Sequence, residues 1–236
     1  MLDDYKRAAA HRAVEEYVED GMVLGLGTGS TAAWVVRRLG ELLAAGELRE
    51  VRGIPTSYQT TALALEFGVP LTSLSENRPD LTLDGADEIS PGLDLIKGRG
   101  GALLREKIVA AGGGLTRSLV VVADESKLVD RLGRTPLPVE VEAFGWEATV
   151  AALSRLGCEA ELRRVSGETP GNSLDDPFVT DGQHYVVDCA FGYISDPRAL
   201  EDEIKHVPGA LEVGLFCGFT RAVVVGGEAG VRTLTT

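Results

Sequence analysis

The stretch Gly25-Leu26-Gly27-Thr28-Gly29-Ser30-Thr31 stands where an apolar run, Met22 to Leu26, hands over to a helical period from Ala32 to Leu43. Glycines permit positive φ and close backbone approach. The amides of Thr28, Gly29, Ser30 and Thr31 can therefore converge on an anion at a helix N-terminus, where the dipole adds roughly half a positive charge. Phosphate is the natural guest. The dinucleotide pattern G-x-G-x-x-G fails at its last glycine, where Ser30 stands, and the G-K-[ST] ending of a P-loop is missing. Hydroxyls at Thr28, Ser30 and Thr31 suit a terminal monophosphate better than a diphosphate bridge. Taken alone, the loop also fits a tight strand-to-helix turn with no guest.

A second signal is Asp84-Gly85-Ala86-Asp87-Glu88, directly behind the apolar run Leu81 to Leu83. Carboxylates at the carboxyl end of a parallel strand face the crevice in which such sheets bind ligands, and Asp84 and Asp87 can both point there. An Asx turn or a helix cap would account for one of them without chemistry. The third is Lys97-Gly98-Arg99-Gly100-Gly101, which opens into a helix from about Ala102 to Ala111 carrying Arg105, Glu106 and Lys107. Leu103 and Ala110 share a face with Glu106, so burial would raise its pKa, while the helix N-terminus and Lys97 would lower it. Residue types do not rank these effects. By itself that stretch also fits a solvated glutamate between two basic neighbours.

Together, an anion cradle, two crevice aspartates, a lysine and a glutamate are the parts needed for proton transfer on a phosphorylated sugar. Composition narrows the field. A chain of 236 residues, 44% hydrophobic and 25% charged, is an ordinary globular protein of at most about two domains. Its 23 Lys and Arg against 36 Asp and Glu leave a net charge of −13, which repels a nucleic-acid backbone, and no basic patch offsets it. No apolar segment follows Met1 and no run approaches the ~20 residues that cross a bilayer, so a cytoplasmic location away from membranes is expected. Cys158, Cys189 and Cys217 are odd in number and lack a C-x-x-C, and read as small buried hydrophobes. His11, His184 and His206 form no i,i+4 pair, so no metal site is expected.

The elements that must position these residues follow from periodicity. A helix over residues 3–20 ends at Gly21, and strands near 22–26, 51–54, 81–83 and 119–123 alternate with helices near 32–43, 58–67 and 102–111. That alternation predicts a doubly wound parallel sheet with helices on both faces. After Pro136 the grammar changes to strand (137–142), helix (146–156), strand (159–164), a loop rich in Gly, Pro, Asn and Asp, two strands around an Asp181-Gly182 turn, and a helix after Pro197. This is a smaller α+β unit. The end, Val213 to Phe216 and Ala222 to Val225, is expected to rejoin the first sheet. The division is thus 1–134 with 208–236 as one domain and 135–207 as the other.

The motifs GLGTGSTA (Gly25 to Ala32), IPTS (Ile54 to Ser57), DGADEI (Asp84 to Ile89), KGRGGALLREKI (Lys97 to Ile108), ADESK (Ala123 to Lys127), PLPVEV (Pro136 to Val141) and PGALEVGLF (Pro208 to Phe216) run in order over nearly the whole chain. In these the sequence resembles ribose-5-phosphate isomerase, type A. The resemblance implies a Rossmann-like sheet with an inserted ferredoxin-like unit. It also implies interconversion of ribose 5-phosphate and ribulose 5-phosphate without a cofactor, and a homodimer or homotetramer. It makes Glu106 the proton acceptor, has Thr28 to Thr31 touch substrate, and lines the substrate path with Asp84, Gly85, Ala86 and Asp87. Lys97, Gly98, Arg99 and Gly100 become a second substrate loop, with Lys127 and Lys6 as further contacts. Arg99 stands where many members have glycine, so its side chain either leaves the site or adds a charge near the sugar. A second departure concerns the length of the surface turn from Gly112 to Arg117.

The implied chemistry passes through an enediolate. Glu106 shuttles the C2 proton, Lys97 and loop amides face the developing oxyanion, and Asp84 or Asp87 handles hydroxyl protons and ring opening. Two other classes use similar parts: an amino-sugar-phosphate deaminase or coenzyme A transferase, told apart by released ammonia or a glutamyl thioester, and a non-catalytic sugar-phosphate sensor, which needs no poised base.

Overall fold

The computed structural model of the chain describes residues 1–114, 118–165 and 173–235. In chain order its elements are α1 (Leu2–Tyr17), β1 (Val23–Leu26), α2 (Ala32–Ala45), β2 (Arg52–Pro55), α3 (Tyr58–Glu66), β3 (Leu81–Asp84), β4 (Glu88–Ile89), β5 (Leu95–Ile96), α4 (Leu103–Gly112) and β6 (Leu119–Asp124). After a 3₁₀ turn over Glu125–Lys127 come β7 (Leu137–Val141), α5 (Trp146–Ser154), β8 (Glu159–Leu162), β9 (Tyr185–Ala190), α6 (Pro197–Lys205), β10 (Ala210–Val213), β11 (Leu215–Phe216), β12 (Thr220–Gly227) and β13 (Gly230–Leu234).

A six-stranded sheet in the order β13-β12-β6-β3-β1-β2 forms the centre, parallel throughout except for β13 at one edge. Strands β1, β3 and β6 are buried along their whole length, which is why they read as unbroken apolar runs. Alternate side chains go to opposite faces. Leu24, Leu26, Leu81, Leu83, Val120 and Val122 form one core with Ala9, Ala13 and Val14 of α1 and Val35, Val36 and Leu39 of α2. Each such side chain taken fully out of water contributes roughly 1.5–3 kcal/mol.

The other face departs from the expectation of helical cover. There α4 shares the work with a three-stranded antiparallel sheet, β11-β5-β4, whose Ile89, Leu95 and Phe216 pack with Leu119, Val121, Ala123, Val223 and Val225. Strands of two residues are too short to leave an alternation in the sequence.

The antiparallel sheet β10-β7-β9-β8 carries α5 and α6 around a second core. Its connectivity, βαββαβ with strand order 4-1-3-2, is ferredoxin-like. Two expectations are corrected here. Val213 ends β10, which pairs with β7 in this sheet, and Leu215–Phe216 pairs with β5, so only β12 and β13 return to the central sheet. The apolar run 213–216 is broken at Gly214, where a Cβ would overlap the Lys97 carbonyl, and the chain changes sheets at that point. The Asp181-Gly182 turn is present, closed by Gln183 and Thr180 and with Gln183 at φ 66°. Before it, however, lie only isolated bridges at Pro177 and Val179 rather than a strand. Part of the preceding loop, 166–172, and the end of the turn read from Gly112, 115–117, lie outside the described residues.

Candidate active site

Strand β1 pairs with β2 on one side and β3 on the other, so the chain reverses direction across the sheet between β1 and β3, and the loops leaving these strands face each other. Two glycines make that approach possible. A Cβ at Gly25 would overlap Thr82 and Val109, so α4 can lie close against β1. A Cβ at Gly27 would overlap the Asp84 carboxylate. The result is a cleft of about 390 Å³ lined by Lys6, Thr28, Gly29, Ser30, Thr31, Gly85, Ala86, Asp87, Lys97, Gly98, Arg99, Gly100, Glu106 and Lys127. Every residue named from the sequence borders it except Asp84, which lies just beneath.

Asp84 is 1% exposed and accepts hydrogen bonds from the N–H groups of Thr28 (3.2 Å) and Gly85 (2.7 Å). The Lys97 ammonium lies 3.0 Å from Asp84 Oδ2 and 3.1 Å from Glu106 Oε2, and it donates to the Gly85 carbonyl at 2.5 Å. Its one hydrogen bond among the described residues goes to Gly85, and it stands against the two carboxylates as a paired charge. Glu106, in the first turn of α4, faces Lys97 as a charge at short range, but its Oε2 accepts no aligned hydrogen bond from a described residue.

Burial raises the Glu106 pKa to about 8, the Asp84 charge adds to that, and Lys97 only partly opposes it. The competition left open by the residue types is therefore decided by burial. Desolvation also raises Asp84, against Lys97 and two backbone N–H groups. Lys97 is held charged: burial works against its ammonium, but Asp84 and then Glu106 outweigh it and raise its pKa. One lysine cannot balance two buried carboxylates, so burial and the Asp84 charge favour the protonated form of Glu106 at neutral pH.

Asp87 is half-buried, and its Oδ2 accepts the Arg99 N–H at 2.9 Å. At the other end of the cleft, Gly29, Ser30 and Thr31 lead into α2, and their N–H groups donate to no described residue. Lys6, on α1, donates to Ser30 Oγ at 3.1 Å, and Lys127 comes from the 3₁₀ turn behind β6. The Thr28 hydroxyl is not free for an anion as the sequence suggests. It shares hydrogen bonds with Thr56 (2.8 Å), Ser57 (2.8 Å) and Thr60 (3.2 Å), and Thr60 in turn donates to the Gly27 carbonyl. Arg99 is exposed and borders the cleft.

Sequence reasoning missed this hydroxyl floor, although Thr56 and Ser57 sit in the quoted IPTS stretch at the carboxyl end of β2, a position that marks crevice residues. It also missed Phe216, whose ring lies 5.3 Å from Lys97 Nζ and which has no local signal near the site.

A switch-point crevice with an anion cradle at one end and a proton-holding buried carboxylate at the other defines an enzyme of acid-base chemistry on small phosphorylated substrates. A family model described as Ribose 5-phosphate isomerase A (phosphoriboisomerase A) matches residues 52–230. Curated proteins named Ribose-5-phosphate isomerase A are 53% identical over 99% of this chain and 97% of the relative in Gloeobacter violaceus, and 42% identical over 99% and 98% in Pyrococcus abyssi. A solved D-ribose-5-phosphate isomerase in complex with phospho-erythronic acid superposes with a TM-score of 0.92 at 40% identity, covering all of both chains. The structure of ribose 5-phosphate isomerase A from Methanocaldococcus jannaschii gives 0.90 at 42% identity over 99% of each chain. The chain belongs to the ribose 5-phosphate isomerase A family.

Proposed function

We propose that this cleft interconverts D-ribose 5-phosphate and D-ribulose 5-phosphate, the aldose-ketose step of the pentose phosphate pathway, with Glu106 as the base and no cofactor. The observation that carries the reading is a buried carboxylate, with a pKa near 8, facing the cleft whose far end is a helix N-terminus flanked by Lys6 and Lys127. The phosphate is held by the Gly29 to Thr31 amides and the two lysines, local positive charge that outweighs the global −13. Glu106 in its ionised form takes the C2 proton and returns it to C1 on the same face. Such a base is worth roughly 10²–10⁴ in rate.

Between the two aspartates, Asp87 is assigned the hydroxyl protons, because it borders the cleft with one oxygen uncommitted, while Asp84 is spent on Lys97 and two amides. Lys97 then acts by holding the charge balance of Asp84 and Glu106. Phospho-erythronic acid, bound in the relative, joins a phosphate to a planar carboxylate on a short sugar-acid chain, a match in shape for a phosphorylated enediolate.

The reading extends to the whole protein. The sequence division of 1–134 with 208–236 and 135–207 is kept except at its last boundary, which is moved from 207/208 to 213/214 because β10 pairs with β7 in the ferredoxin-like sheet. Three free thiols among the described residues suit a reducing cytoplasm. The acidic surface argues against a nucleic-acid partner, and no described helix is long and apolar enough to cross a membrane. Exposed rings at Phe144 and Tyr193 are surface that a second copy in a homodimer or homotetramer would cover, which sedimentation velocity reads directly.

The test of the activity is to supply ribose 5-phosphate to the purified protein with a chelator present and follow ketopentose. Product is expected, and none at any pH from 6 to 9 overturns the reading. Lys127→Ala is expected mainly to raise KM, and an unchanged KM removes Lys127 from phosphate binding.

A further inference from the structure

We infer that Arg163, from the ferredoxin-like unit, is a positioning residue for the reaction: it holds the Gly98–Gly101 loop so that the Gly100 N–H is aimed into the cleft as a donor to a substrate oxygen. The inference rests on the function proposed above and assigns a part of the site that the sequence motifs do not contain.

The loop is a wall between two cavities. On one side is the cleft. On the other is a cavity of about 310 Å³ that shares Asp87 and Arg99 with the cleft and is otherwise bordered by Arg163, Asp188, Thr135, Pro136 and Pro138. From that far side Arg163 Nη1 donates to the carbonyls of both Gly98 (2.9 Å) and Arg99 (3.1 Å). The guanidinium is itself fixed. Its Nε donates to Asp188 Oδ2 at 2.8 Å, its Nη2 bonds to Asp188 Oδ1, and it lies over the Phe178 ring. Phe178 packs on Gly101, where a Cβ would overlap it.

Peptide geometry then dictates the rest. The backbone has no cis peptide, and in a trans peptide the C=O and the following N–H point in opposite directions. The Gly98–Arg99 unit is pinned at both ends, its oxygen by Arg163 and its N–H by Asp87 Oδ2. In the next unit Arg163 takes the Arg99 oxygen to the far cavity, which turns the Gly100 N–H to the cleft side. Gly100 borders the cleft, and its N–H donates to no described residue. Such a donor would add to Lys97, whose ammonium is held between the Asp84 and Glu106 carboxylates and bonded to the Gly85 carbonyl. A fixed amide directed at developing negative charge requires no reorganisation during the reaction.

Arg163→Ala is expected to lower kcat at least about tenfold, since loss of one such donor costs about 10²–10³ and loosening it costs less. Guanidinium added at a sub-denaturing concentration should restore part of that rate. The acid limb of the pH profile should stay in place, because Glu106 is untouched. Arg163→Lys, which keeps the charge but not the fork, should fall between the two. Arg164→Ala, a neighbour bonded instead to the Asp175 carbonyl, should leave kcat unchanged. Affinity for phospho-erythronic acid, measured by calorimetry, should fall with kcat along the series. Full kcat in Arg163→Ala, or a loss that guanidinium does not relieve and that comes with a moved acid limb, overturns the inference. If the wild type isomerises nothing but still binds phospho-erythronic acid in an Arg163-dependent way, the proposed activity falls and the positioning role stands.

Discussion

Lys97 and Lys107 are both buried, both lie over the Phe216 ring, at 5.3 and 4.9 Å from its centre, and each is paired with two carboxylates. Lys97 meets Asp84 and Glu106. Lys107 meets Glu201 (2.6 Å) and Glu212 (2.9 Å) and donates to the Val213 carbonyl, tying α4 to α6 and β10. The difference is in the balance of charge. Glu212 has a second cation, Lys205 at 3.2 Å, and a hydrogen bond from the Val213 N–H. Burial disfavours its ionised form, but Lys107 and these partners overcome that and hold its pKa below the usual value. Among the described residues no second cation pairs with Asp84 or Glu106, and the excess appears as a Glu106 pKa of about 8. A buried cluster with matched charges is a rivet; the same cluster one cation short is a proton store.

The largest expected effect separates the two clusters outright. Glu106→Gln should cut turnover by roughly 10²–10⁴ with a modest change in KM, measured by ketopentose formation; near-normal turnover would merge the clusters into one structural type. Next, Lys107→Met should cost about 3 kcal/mol in urea unfolding, because it strands buried carboxylates, while kcat per folded molecule changes little.

pH sharpens the contrast. Because the ionised Glu106 is the active form, kcat/KM should rise with pH through about 8, and a limb near the ordinary carboxylate range would contradict the buried charge imbalance. Stability should respond with opposite signs at the two clusters. The folded protein keeps the Glu106 proton up to about pH 8, whereas the unfolded chain releases it near 4.5, so this contribution is present at low pH and fades as pH rises between those values. Glu106→Gln should therefore unfold at a higher temperature than wild type at pH 8, with the gap closing toward pH 4.5. Glu212, with its lowered pKa, contributes above about 4.5 and loses that contribution as pH falls. The smallest effect is Lys205→Ala: its side chain is 44% exposed, so a loss under about 1 kcal/mol is expected by the same unfolding assay.

The contrast also explains what could be read from the chain. The Gly27 to Thr31 loop and the Asp84 to Asp87 turn were legible because each is a short motif at the end of a strand of the parallel sheet, where backbone is exposed to ligand, and the Lys97 to Gly100 loop because its glycines open into a helix. The pKa of Glu106 was not, since it depends on Asp84 and on burial supplied by other segments. Leu103 and Ala110 hinted at that burial without ranking it. Strands β4, β5 and β11 escaped notice because two residues carry no periodicity, and without them Val213 to Phe216 looked like one strand of the central sheet. The Thr28 hydroxyl was given to phosphate because its competitors Thr56, Ser57 and Thr60 come from another loop.

The change of sheets at Gly214 bears on how far this architecture can be taken apart. The Gly214 N–H donates to the Pro138 carbonyl of β7, and its own carbonyl accepts the Lys97 N–H, each at 2.8 Å. The inserted unit is thereby stitched to the backbone of the reactive lysine by a single residue. Trimming the insertion to make a minimal enzyme, or grafting another in its place, would leave Gly214 without the Pro138 carbonyl that holds it beside Lys97, even if every cleft side chain were kept.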